Sequence, residues 1–160
     1  MTSTIETAPT FRRATQLDAE AVETLLTASS LPLDGVREAL SCSIVAEDHA
    51  SLVGVAGIEA CGIRGDHALL RSVAVVPAWR DRGLGRTLVT RAIAMAEERG
   101  VNALYLLTTT AENYFPSFGF ETTPRDAVPD DVRQSAEFQG ACPASATVMV
   151  RMAAAPPEAV

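Results

Sequence analysis

Cysteine is scarce. Cys42, Cys61 and Cys142 make an odd set with no CxxC pair. Neither a disulfide framework nor a zinc site follows, and no metal is expected; small, semi-apolar buried residues suit free cysteines. Basic residues are also outnumbered, 13 against 20 acidic ones, giving a net charge of −7 and a pI near 4.8. Broad nucleic-acid binding needs a positive surface and is therefore excluded. An anionic ligand is not excluded, because local amides and a few arginines can hold one inside an acidic protein. No apolar run approaches the roughly 20 residues that cross a bilayer. Met1–Pro9 lacks a basic stretch followed by an apolar one, so no secretory signal is read there. No membrane partner is expected, and cytoplasm is the default location. There is no internal repeat and no Gly/Ser linker to divide the chain.

What is present is an ordinary globular composition, 48% hydrophobic and 21% charged over 160 residues, which suits one domain. Residues 1–9 and 153–160 read as frayed, disordered ends around a domain at 10–152. Thr10–Ala14 suits a first strand. Thr15 to Asp18 reads as a capping box, opening a helix on Leu17, Ala21, Leu25 and Ala28, with Val22 and Leu26 widening the face. Ser29 to Pro32 breaks it. A short helix is expected over Asp34–Ser41, then strands over Ser43–Glu47, Leu52–Ala60 and Ala68–Val76. His49-Ala50 and Gly62–Asp66 supply the turns between them. The last run is apolar enough for a central strand covered on both faces.

Gly83–Arg99 reads as the longest helix, with Leu84, Leu88, Ala92 and Ala96 four apart, Val89 and Ile93 beside them, and Gly100 as its stop. A strand at Ala103–Thr109, a short helix at Ala111–Phe118, a strand at Phe120–Thr123, a helix at Asp130–Glu137 and a strand at Ala146–Met152 complete the order. The result is an α+β chain, a mixed sheet with helices on its faces.

The most informative stretch is Val73-Ala74-Val75-Val76-Pro77-Ala78-Trp79-Arg80-Asp81-Arg82-Gly83-Leu84-Gly85-Arg86. A strand stops, a turn with two glycines follows, and a long helix begins. A helix start offers unpartnered amides and a partial positive charge. Glycine lets a ligand approach the backbone, and successive amides form an anion nest. Arg80, Arg82 and Arg86 add charge, so a pyrophosphate is the natural guest. The absence of GxxxxGK[ST] and of GxGxxG argues against a P-loop or a Rossmann unit.

This segment resembles the acetyl-CoA motif of the GNAT superfamily of N-acetyltransferases, and the element order of nearly the whole chain agrees. The resemblance implies a mixed, mostly antiparallel sheet with splayed middle strands, helices on both faces and acetyl-CoA as co-substrate. Amides of Arg82, Gly83, Gly85, Arg86 and Thr87, with Arg80 and Leu84 beside them, would hold the pyrophosphate. Val73 and Val75 would pair with the pantetheine arm, and the Val73 amide would stabilise the oxyanion. A homodimer is a fold-level expectation only.

Two family features are absent. Many relatives carry a tyrosine acid in a Tyr-x-x-x-Gly-Phe pattern; registering on Gly119-Phe120 puts Phe115 there, with Tyr114 beside it, about 100° round a helix. Some carry a glutamate base where Leu69 stands here. Glu59 and Glu112 remain as bases acting through water. Direct attack by an already deprotonated amine, with solvent protonating the thiolate, is the expected mechanism.

Further stretches narrow the resemblance: Leu31-Pro32-Leu33-Asp34-Gly35, Leu69–Val73, Leu104–Glu112, Phe118–Phe120, Pro129–Phe138 and Cys142–Ala146 with Met149. They are similar to arsenic-resistance N-acetyltransferases; some glutamate-type acetyltransferases share the leucine–threonine strand. The implied acceptor is a small amino-acid-like amine with a second anionic group, such as the arsenical glutamate mimic arsinothricin. Arg71, placed on the same strand face as Val73 by alternation, is the first candidate to bind it, with Arg125 and Arg133 on the substrate side and hydroxyls from Ser72, Thr108 and Thr109. Other acceptors left open are a free amino acid, a polyamine or an aminoglycoside. A rival from another class is a non-catalytic acetyl-CoA sensor.

Overall fold

The computed structural model describes residues 8–61, 65–135, 137–141 and 145–153. Most of both expected frayed ends, the first three residues of the turn expected at Gly62–Asp66, residue 136 of the helix expected at Asp130–Glu137, and Cys142 to Ala144 lie outside these residues. The expected α+β class holds. Seven strands form one sheet in the order β1-β2-β3-β4-β5-β7-β6: β1 Thr10–Arg13, β2 Ser43–Asp48, β3 Ser51–Cys61, β4 His67–Val75, β5 Ala103–Thr108, β6 Glu121–Thr122 and β7 Thr147–Met152. All pairs are antiparallel except β4 with β5.

Helix α1, Ala19–Ala28, and helix α2, Leu84–Glu98, cover opposite faces. Strand alternation sorts the core between them. Val45, Val55 and Ala74 pack under α1 with Val22 and Leu26; Ala46, Ala56, Ile58 and Leu70 pack under α2 with Leu84, Leu88 and Val89. Fully burying each of the larger ones, the valines, leucines and isoleucine, contributes about 1.5–3 kcal/mol. The apolar face of α2 is the one its four-residue spacing dictates, with Met95 added. On α1 the face differs from expectation. Thr15 and Asp18 do close a capping box, but they cap a 3-10 turn over Gln16–Asp18. That turn leaves Leu17 95% exposed, and the buried face is Ala19, Val22, Leu25 and Leu26.

Three expected helices are shorter or absent. Residues 34–39 form turns, with Gly35 at φ +76°, followed by a 3-10 turn at Leu40–Cys42. Turns and a 3-10 helix, Phe115–Phe118, replace the helix at Ala111–Phe118; Pro116 there has no N–H to give. The helix expected over Asp130–Glu137 runs only over Asp130–Arg133, here α3, and a π-turn over Glu137–Ala141 follows.

Two departures from regular pairing shape the middle of the sheet. Strands β4 and β5 pair only through His67–Ala103, Ala68–Leu104 and Leu69–Tyr105, although β4 continues to Val75 and β5 to Thr108. Beyond Leu69 the two strands part. On its other edge β4 carries a bulge. Val55 pairs with Ala74 and Gly57 with Arg71, so Ser72 and Val73 together oppose Ala56. Ser72 takes φ +59°, a left-handed conformation that a bulge accommodates.

Candidate active site

The parted strands enclose a cavity of about 270 Å³, lined by Arg71, Ser72 and Val73 from β4, by Leu106 to Thr108 from β5, and by Leu31, Tyr114, Phe115 and Glu137. At its β4 rim, Val76 N–H donates to Val53 C=O at 2.9 Å. Hydrogen-bonding direction alternates along a strand, so the N–H and C=O of the preceding Val75 point away from β3, into the gap. That C=O accepts from Arg80 Nε at 3.0 Å, which leaves the Val75 N–H as the group facing the gap.

Past β4, Pro77–Trp79 makes a single 3-10 turn and the chain reverses through Asp81 and Gly83, with φ of +62° and +81°. Gly83 caps α2. Thr87 N–H makes the first helical bond, to Gly83 C=O at 3.1 Å, and the Thr87 hydroxyl donates to the same oxygen at 3.2 Å. The amides ahead of that bond are those of Leu84, Gly85 and Arg86. Thr87, expected among the amide donors, is instead part of the cap.

The three arginines of the turn are anchored in different ways. Arg80 holds Val75, Arg82 stacks over Trp79 at 4.9 Å, and Arg86 lies over Phe118 at 4.6 Å while donating to Ser117 Oγ at 3.0 Å. A side chain on Gly85 would project toward the Tyr114 hydroxyl, 3.5 Å from the Cβ position, and Val75 Cγ2, 3.7 Å from it. Open turn amides, a cation-rich rim and a glycine facing the cavity mouth are suited to a diphosphate.

Arg71 is the centre of the other side. Its side chain is fully buried. Nη1 donates to Glu59 Oε1 at 2.6 Å, Nη2 to the Asp34 carbonyl, and Nε to Ser72 Oγ at 3.3 Å; Glu137 Oε1 stands 3.8 Å from Nε. Alternation was expected to put Arg71 on the face of Val73. The extra residue in β4 inverts that parity: Val73 and Val75 pack on the α2 side with Leu70, whereas Arg71 lies on the opposite face with Glu59.

The cavity brings Arg71, Ser72, Val73 and Thr108 together. Thr108 Oγ1 accepts from the amides of Thr110 and Ala111 at 3.4 and 2.9 Å. Thr109 is exposed and does not line the cavity. Arg125 borders a separate open hollow with Asp126 and Arg133, and donates to the Ala146 carbonyl at 3.0 Å; Arg133 donates to the Arg125 carbonyl. Glu59 faces a different hollow beside Cys42 and serves as the partner of Arg71, which removes it as a base at this cavity. Glu112 accepts from the Thr147 hydroxyl at 3.3 Å. His67, isolated in the sequence, meets the Asp131 carboxylate at 2.9 Å.

Sequence reasoning missed two residues here. Tyr114, expected to point away, lines the cavity because the segment around it is not α-helical. Burial raises its hydroxyl pKa, and Arg86 opposes the shift. Glu137 was read as the end of a helix; it is 5% exposed, and its pKa is pushed up to about 7, by burial first, with Arg71 lowering it and Glu59 raising it. Tyr114 carried a signal in its place before the Phe-Gly-Phe run. Glu137 carried none, since its meeting with Arg71 is made by tertiary structure alone.

A family model described as the acetyltransferase (GNAT) family matches residues 8–120. An uncharacterised N-acetyltransferase of Chlorobaculum tepidum is 34% identical over 65 residues, 41% of either protein. The amino-acid acetyltransferase of Escherichia coli K12 is 33% identical over 67 residues, 42% of this chain and 15% of that protein. The matched stretch thus spans less than half of each relative. Among solved structures, the N-acetylglutamate synthase of Neisseria gonorrhoeae in complex with coenzyme A and N-acetyl-glutamate superposes with a TM-score of 0.77 at 23% identity, over 92% of this chain and 35% of that one. A Mycobacterium tuberculosis protein in complex with CoA gives the same score and identity over 91% and 100%. With the family model covering well over half of its residues, this chain belongs to the acetyltransferase (GNAT) family, whose members use acetyl-CoA.

Proposed function

We propose that this chain is an acetyl-CoA-dependent N-acetyltransferase whose acceptor is a small amino-acid-like amine, arsinothricin and glutamate being the leading members of that class. The observation that carries it is the wedge between β4 and β5, open beyond the Leu69–Tyr105 pair and ending at the glycine turn that starts α2. In this reading the diphosphate sits on the amides of Leu84, Gly85 and Arg86, between the arginines of the turn. The pantetheine runs along the free edge of β4 at Val75. The thioester carbonyl reaches the Val73 amide, which stabilises the oxyanion as the amine attacks. Tyr114 lines the same cavity, with its hydroxyl beside Gly85 at the mouth.

The acceptor enters from the side of Arg71, Ser72 and Thr108. The size of the cavity and its one buried guanidinium support a small, anionic amino acid, and relatives named for amino-acid and N-acetylglutamate chemistry agree. An acceptor carboxylate would approach Arg71 from the cavity side, at Nε, because Glu59 holds Nη1 at 2.6 Å. The test is thiol release from acetyl-CoA with arsinothricin, phosphinothricin and L-glutamate against spermidine and kanamycin. Turnover confined to the acidic amino acids is expected. Turnover of the cations alone overturns the acceptor class. No release above background with any amine, alongside measurable acetyl-CoA binding, overturns catalysis in favour of a sensor.

A further inference from the structure

We infer that Glu137 is the proton acceptor for the acceptor amine, resting on the acetyltransferase reading above: it is a carboxylate enclosed by the fold at the substrate side of the cavity, facing the space the amine must occupy. No sequence pattern points to it; its position does. Residue 137 opens the π-turn after α3, and its side chain borders the same cavity as Val73, Thr108 and Tyr114.

Two acids share the Arg71 guanidinium unequally. Glu59 takes Nη1 at 2.6 Å, whereas Glu137 stands 3.8 Å from Nε, beyond hydrogen-bond reach. Nε donates instead to Ser72 Oγ. Glu59 thereby holds Arg71 at contact distance, and Glu137, with a side chain only 6% exposed, is left without full compensation. The charged groups acting on it are Arg71 from β4 and Glu59 from β3, one on each side of the balance. A structural ion-pair partner would be expected at contact distance; a group held slightly off its cation, at the wall of a cavity, is available to a second cation. The ammonium of the acceptor is such a cation.

The acceptor ammonium gives one proton to the Glu137 carboxylate, and the freed lone pair attacks the thioester carbonyl carbon, forming the C–N bond. The tetrahedral intermediate collapses, the C–S bond breaks, and the sulfur leaves with the electron pair. The second nitrogen proton goes to that thiolate, yielding the amide and free coenzyme A. Glu137 then releases its proton to solvent. A base titrating near neutrality is poised for both events.

The experiment compares wild type, Glu137→Gln and Glu137→Asp by kcat against pH with the best acceptor of the acidic panel, and by calorimetry with acetyl-CoA. Wild-type kcat is expected to show an inflection near pH 7. Glu137→Gln should lose that inflection and about 100-fold in kcat, with acetyl-CoA affinity unchanged within twofold. Glu137→Asp should keep the inflection and recover part of the rate. A Glu137→Gln variant that keeps the inflection and stays within threefold in kcat overturns the assignment while leaving the acetyltransferase reading intact. A wild type that binds no acetyl-CoA overturns both. Should the Gln variant not fold, the ¹³C carboxyl signal of wild type that disappears in Glu137→Asp decides: titration near neutrality supports the assignment, and titration below pH 5 overturns it.

Discussion

Burial of Glu137 has a consequence for stability that can be measured without any substrate. Folding raises its pKa from 4.5 to about 7, chiefly because the ionised carboxylate is penalised away from water. Below pH 4.5 the folded and unfolded chains both carry the proton, and the residue incurs no ionisation penalty. Between pH 4.5 and 7 the unfolded chain ionises and the folded chain resists, so stability falls as pH rises. Above pH 7 both states are ionised and the penalty is constant. One pKa unit corresponds to about 1.4 kcal/mol, so the full effect is about 3 kcal/mol, of which about 2 to 3 kcal/mol develops between pH 5 and pH 8.

Glutamine copies the shape of the protonated acid and cannot ionise. Glu137→Gln is therefore expected to gain on wild type by about 2 to 3 kcal/mol between pH 5 and pH 8, read from urea unfolding by circular dichroism at each pH. Because the carboxylate of Glu59 opposes ionisation of Glu137, and because removing it leaves more of the Arg71 charge for Glu137, Glu59→Gln should flatten the same pH dependence. Parallel stability profiles for wild type and Glu137→Gln, separated by a constant offset, would refute the buried-carboxylate account.

Gly85→Val should set a branched side chain against the Tyr114 hydroxyl and Val75 Cγ2, 3.5 and 3.7 Å from the Cβ position, and fill the approach to the turn amides; calorimetry on protein shown folded by circular dichroism should find coenzyme A affinity down tenfold or more. Gly54→Ala should do the reverse. A Cβ there would lie 2.7 Å from Leu88 Cδ1, where Leu88 is fully buried, so urea unfolding should find a loss of about 1–3 kcal/mol, with coenzyme A affinity retained.

The parts of this molecule legible in its sequence are those set by local rules. The four-residue apolar spacing of α2, the Thr15–Asp18 capping box and the strand that stops at a glycine turn each depend on neighbours a few residues apart. The resemblance built on that turn gave the family. Where local rules conflict, period misleads: Asp34 to Ser41 has helical apolar spacing, yet residues 34–39 form turns that begin around Gly35 at positive φ.

Arg71 is the more instructive case. Alternation counts residues, and the count holds only while each residue of β4 faces one of β3. At Ser72–Val73 two residues face one, and every side chain beyond that point changes face. The same irregularity that makes the alternation reading fail separates two groups of side chains that one regular strand face would have superimposed. Val73 and Val75 are left on the α2 side, beside the turn suited to the diphosphate, while Arg71 turns to the opposite face, where Glu59 and Glu137 meet it. A regular β4 would have put the valines and the guanidinium on one surface. Removing the extra residue by deleting Ser72 would restore the alternation and return Arg71 to the face of Val73, which is why the bulge, rather than either residue, is the feature that divides this cleft.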